Sequence, residues 1–127
     1  MKIKFDPDRG LIIIPARLYG KEEDMIVRLA LDTGATNSMI NWDIAELLGY
    51  DPAAEKDRIR ITTGSGIEFA PRIYMDKIEV LGRINKNFPI LCHTLPPSAT
   101  VDGLLGLDFF KGVRLVLDFK KGIISFR

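Results

Sequence analysis

Leu29-Ala30-Leu31-Asp32-Thr33-Gly34-Ala35-Thr36 is the stretch on which the reading of this chain turns. An apolar strand runs straight into an aspartate, a small hydroxyl residue and a glycine. Such a strand delivers a carboxylate at the end of a rigid element, where its position is well defined. Gly34 lets the backbone turn sharply and approach closely, so amide groups can point at the carboxylate. Thr33 offers a hydroxyl beside it. The plainer reading is a turn after a strand, which favours the same residue types. At ordinary residue frequencies, Asp-(Thr/Ser)-Gly arises by chance in about one chain in twenty of this length. Its company decides.

Working outward, strand signals dominate. Upstream, Lys2–Phe5 alternates, Asp6–Gly10 reads as a turn, and Leu11–Tyr19 is β-rich, with Pro15 suggesting an edge or a bulge. Met25–Leu31 is mostly apolar and is predicted to be a strand buried on both faces. Downstream, Asp43–Leu48 reads as a short helix, with Asp43 and Glu46 spaced as a capping box and Gly49 as its stop. The period-2 pattern returns from Arg58. Arg58–Thr62 and Ile67–Met75 flank Thr63-Gly64-Ser65-Gly66, a hairpin signal. Lys77–Leu81 and Ile84–Leu91 predict a second hairpin across Gly82-Arg83. His93–Thr100 reads as loop, Leu104–Phe110 as a second short helix, and Arg114–Phe119 with Ile123–Phe126 as a last hairpin. The expectation is one mostly β domain over residues 1–127 with two short helices.

Two features stand with the Asp32 stretch. Thr62-Thr63-Gly64-Ser65-Gly66 forms a glycine-rich hairpin tip, and Val101-Asp102-Gly103-Leu104-Leu105-Gly106 brings an apolar pair plus glycine some seventy residues after Asp32. In this order the three resemble the retropepsin-like aspartic proteases, and Leu104–Phe126 resembles the end of a pepsin lobe. The resemblance implies a closed, barrel-like acid-protease lobe, active as a C2 dimer. It implies Asp32 as the catalytic aspartate, Thr33 as the residue whose hydroxyl bridges to its counterpart, and Gly34 and Ala35 as backbone that holds substrate. Thr62, Thr63, Gly64, Ser65 and Gly66 would form the flap, and Leu104, Leu105 and Gly106 the turn beneath the active-site loop. Two departures stand out. The segment between Asp32 and the hairpin is longer than in viral members and holds the Asp43–Leu48 helix, and the hairpin tip lacks the tyrosine of pepsin lobes.

That mechanism needs two carboxylates, one to take a proton from water and a protonated partner to donate to the scissile carbonyl. Asp-Thr-Gly occurs once and Asp-Ser-Gly not at all. Asp102-Gly103 lacks the hydroxyl residue. A homodimer supplies the pair, since a two-fold axis sets two Asp32 side chains face to face. Two carboxylates about 3 Å apart at an effective dielectric near 20 repel by about 5 kcal/mol, so the pair would share one proton, the standard behaviour of aspartic proteases. The resemblance thus implies hydrolysis of peptide or protein substrates without a cofactor. The alternative is a catalytically silent dimerisation or peptide-binding module of the same fold.

Composition fits a folded globular chain, at 46% hydrophobic and 28% charged residues. The net charge is +1 and no basic run interleaves with aromatics, which argues against nucleic acid. One cysteine and one histidine leave no intramolecular disulfide and no Cys/His zinc set. Cys92 and His93 are adjacent, so on a strand they would face opposite ways and make an awkward thiol–imidazole pair. Cys92 is expected to be buried and His93 to lie in the loop. The longest apolar run near the start, Leu11–Ile14, is too short for a membrane span. With Met1 as the native start, the expected location is the cytoplasm.

Overall fold

The computed structural model describes residues 1–96 and 98–127, which form ten strands, one α-helix and two 3₁₀ turns. The strands β1 (Lys2–Lys4), β2 (Ile13–Tyr19), β3 (Asp24–Leu31) and β4 (Met39–Asn41) precede helix α1 (Trp42–Leu47). After a 3₁₀ turn at Pro52–Ala54 come β5 (Arg58–Thr63), β6 (Gly66–Val80) and β7 (Arg83–His93). Then follow β8 (Gly103–Leu105), a 3₁₀ turn at Leu107–Phe110, β9 (Leu115–Asp118) and β10 (Ile123–Phe126).

The larger sheet runs in the order β2-β3-β8-β4-β7-β6-β5, and β2 also pairs with β6. That extra pairing closes a barrel and leaves β5, with the facing arm of β6, projecting from it as a hairpin. Closure removes the open edges that a sheet of this size would otherwise present. Inside lie Ile14, Leu18, Leu29, Met75, Ile78 and Ile90, all fully buried. Phe109 extends this core, meeting Phe88, Phe110 and Phe126 in edge-to-face contacts at centroid distances of 5.4 to 6.2 Å.

Several local expectations are corrected. β3 is buried on both faces only at its end: Val27 and Leu29 point inward and Ala30 is buried on the other face, but earlier on that face Ile26 is 69% exposed and Arg28 faces solvent. Helix α1 starts one residue early, at Trp42, and its N-cap Asn41 makes no side-chain capping bond, so no Asp43–Glu46 box forms. Asp43 sits instead in the first turn, where a negative charge suits the helix dipole. The second expected helix divides into strand β8 and the 3₁₀ turn, because Gly103–Leu105 is drawn into the sheet between β3 and β4. Ile67–Met75 and Lys77–Leu81 merge, up to Val80, into one 15-residue strand, β6. The β6–β7 turn falls one residue before the expected Gly82-Arg83: Val80 pairs with Arg83, and Leu81 and Gly82 are both at positive φ (49° and 81°), the signature of a tight type I′ hairpin.

The terminal strands form a separate sheet, β1-β10-β9, with Lys2 opposite Ser125. The two ends of the chain therefore pair with each other inside one protomer. Among the described residues no helix is long and apolar enough to cross a membrane.

Candidate active site

The site is built where β8 threads between β3 and β4. β3 and β8 run parallel, with Leu31 beside Leu105, and β8 pairs antiparallel with β4. The loop 32–38 must therefore cross over β8 to reach β4, and that crossing holds Asp32 in place. The Asp32 N–H donates to Leu105 O at 3.0 Å, and the Ala35 N–H to Asp32 O at 3.1 Å. The carboxylate itself accepts the Gly34 N–H on Oδ1 at 2.9 Å. Strand end, turn and amide together fix the side chain at the rim of the barrel, half-buried, as the sequence pattern suggested.

The apolar-apolar-glycine motif packs under this loop. Leu105 is fully buried, and a Cβ on Gly106 would stand 2.7 Å from Ala35 O, so only glycine lets the strands approach. Gly103 is just as confined, against the backbone of Met39. A buried polar clamp completes the crossing. The Gly106 N–H donates to Ser38 Oγ at 2.9 Å, and the Ser38 hydroxyl donates to Asp108 Oδ1 at 2.7 Å. Asp102 is structural: its carboxylate accepts the Arg28 N–H at 2.8 Å.

The β5–β6 hairpin leans over the same rim. Thr63 pairs with Gly66, leaving Gly64-Ser65 as a two-residue loop. The Thr63 hydroxyl donates to Gly66 O and accepts the Ser65 N–H, both at 3.2 Å, which stiffens the tip. Of the two tip glycines, Gly66 alone has a positive φ, at +120°.

Between loop and hairpin lies a cleft of about 500 Å³. Asp32, Gly34, Ala35, Thr62, Thr63 and Leu104 line it, so all three sequence motifs meet there. Gly64, Ser65 and Gly66 stand beyond it at the tip, Leu105 and Gly106 support it from below, and Thr33 is exposed beside it. Met39, Leu91 and His93 also line the cleft. His93 was expected in a loop but is the last residue of β7. The signal was in the alternation: Cys92 is fully buried, so its neighbours Leu91 and His93 face the other way, toward the cleft. Burial pushes the Cys92 thiol up to about 12, with Glu55 adding to the shift, which leaves it protonated and poorly nucleophilic. Among the described residues no group of three or more His, Cys, Asp or Glu is placed to hold a metal.

Comparison with known proteins agrees with this architecture. Residues 20–112 match the family described as "gag-polyprotein putative aspartyl protease". No curated protein sequence matches the chain. Among solved structures, a retropepsin-like aspartic protease from Rickettsia conorii superposes with a TM-score of 0.74 at 22% identity, covering 98% of this chain and 86% of that one. The retroviral protease-like domain of Ddi1 from Leishmania major gives a TM-score of 0.59 at 21% identity, covering 93% and 89%. At these identities the two structures establish the fold.

Proposed function

The chain belongs to the gag-polyprotein aspartyl protease family, and on that premise we propose that it is an aspartic endopeptidase whose active unit is a homodimer. The observation that carries the reading is Asp32 itself, held at a strand end by the Gly34 N–H and facing a cleft roofed by the β5–β6 hairpin. The hairpin acts as a flap, and an extended peptide lies as an added strand between it and the floor, its side chains alternating into pockets.

In this reading water sits between two Asp32 carboxylates, one from each protomer. The ionised carboxylate takes a proton from the water as its oxygen attacks the scissile carbonyl, and the protonated carboxyl donates to the carbonyl oxygen. The protons are then redistributed as the C–N bond breaks and the amine leaves. No cofactor takes part. A second chain is required because Asp-Thr-Gly occurs once. Exposure of Thr33 and Gly34 supports such an assembly, since these are the groups a two-fold partner would cover.

The test is incubation of wild type and Asp32→Asn with a diverse peptide library. Cleavage by wild type alone is expected. Binding without cleavage by both proteins would make the chain a peptide-binding module instead.

A further inference from the structure

We propose that His93 is a positioning residue for this reaction: with Glu68 it forms a proton-dependent latch that holds the flap down over the Asp32 cleft. The inference rests on the reading of the β5–β6 hairpin as a flap. His93 belongs to the floor, at the end of β7, and Glu68 to the flap arm of β6. Their side chains meet at the cleft, His93 Nε2 lying 2.9 Å from Glu68 Oε2.

The other ring nitrogen decides the chemistry. Nδ1 lies 3.0 Å from the carbonyl oxygen of Thr94, which can only accept, so Nδ1 must carry a hydrogen. A neutral imidazole has one N–H, which leaves Nε2 with a lone pair facing a carboxylate. The pair of contacts therefore needs one more proton, held on the ring or on Glu68. With it, the bridge between flap and floor is a charge-assisted hydrogen bond. Without it, acceptor faces acceptor and one contact must open.

The latch acts on the flap because Glu68 pairs directly with Ile61 of β5, which lines the cleft. The other charged groups facing this end of the cleft are Arg60 from β5 and Asp32 from the loop after β3. β4 presents the neutral Asn41 opposite His93, and β8 presents Leu104. The His93 and Glu68 side chains are 30% and 46% exposed, so protons reach them freely.

His93 is the only histidine, so its ring can be followed by NMR in the intact protein without interference. Across a pH titration the ring signals and the flap amides around Ser65 should shift together, with one common midpoint. In the enzyme assay KM should rise about three- to fivefold from a pH below that midpoint to one above it, the usual size of a half-exposed ion pair. His93→Ala should show the higher KM at both pH values. Glu68→Gln should show the lower KM at both, since an amide can donate to the neutral ring, and a merely structural contact would not flatten the profile this way. Flap amides that ignore the ring's titration, or a wild-type KM profile in both variants, would overturn the latch. Co-titration without any peptide cleavage would keep the latch and remove the protease reading; cleavage without co-titration would do the reverse.

Discussion

Asp108 accepts two hydrogen bonds from Ser38, seventy residues away: the backbone N–H at 2.9 Å and the hydroxyl at 2.7 Å. Because Ser38 Oγ also takes the Gly106 N–H, this one carboxylate ties the end of the Asp32 loop to the strand it crosses. Asp108→Ala would leave the buried Ser38 donors without their acceptor. We expect a loss of about 2–3 kcal/mol in urea unfolding, and a milder loss for Asp108→Asn, which keeps one acceptor oxygen. Equal stability of Asp108→Ala and wild type would show that the clamp carries no energy.

If two Asp32 carboxylates do the chemistry as proposed, activity should follow a bell-shaped pH profile with its maximum below neutrality, because such a pair must hold one proton rather than two or none. The measurement is kcat against pH on a single peptide. A rate that climbs steadily into alkali would point to different chemistry.

The two glycines of the β5–β6 hairpin tip should differ in their tolerance. Gly66 sits at φ +120°, where a β-branched residue is strained, so Gly66→Val should cost about 1–3 kcal/mol locally and slow turnover strongly. A Cβ on Gly64 meets nothing within 4 Å and needs no unusual φ, so Gly64→Val should fold as wild type and be the milder variant. Kinetics of the two variants side by side check the assignment of strain to Gly66.

If the two aspartates come from different chains, dilution should lower specific activity. Co-refolding one wild-type chain with three Asp32→Asn chains leaves about one dimer in sixteen with both carboxylates, for random pairing. Activity per wild-type chain should then fall to about a quarter. Unchanged activity, with subunit exchange confirmed, would mean that each chain carries a complete site.

At high pH the fold should weaken at two buried groups. Desolvation pushes the Cys92 thiol from 9.0 to about 12 and the Tyr50 hydroxyl from 10.0 to about 12. In both cases the folded state holds the proton more tightly than the unfolded chain. Their contribution is therefore complete below pH 9 and is lost as pH rises toward 12. Unfolding midpoints at pH 8, 10 and 11.5 should fall in that order, and Cys92 should resist thiol reagents until the protein is denatured.

The parts of the site legible in the sequence were those carried by local pattern. Asp32-Thr33-Gly34, Thr62-Thr63-Gly64-Ser65-Gly66 and Leu104-Leu105-Gly106 each declare themselves within a few residues, and each sends at least one residue into one cleft. What escaped depends on partners distant in the chain. The strand broken in the reading at Asp76 continues because the β6–β7 ladder skips Asp76 and Asn87 while the Asp76 N–H finds the Tyr50 hydroxyl at 3.1 Å. β8 gives no helical turn because two strands claim its backbone. His93 was assigned to a loop although the same alternation that separated it from Cys92 directs it into the cleft.

The terminal sheet has a topological consequence. Lys2 stands opposite Ser125, so the first and last strands lie side by side in a sheet of their own. A short peptide joining the two ends would close the backbone into a ring without moving a strand, and new ends could be cut at an exposed turn such as Lys120-Lys121.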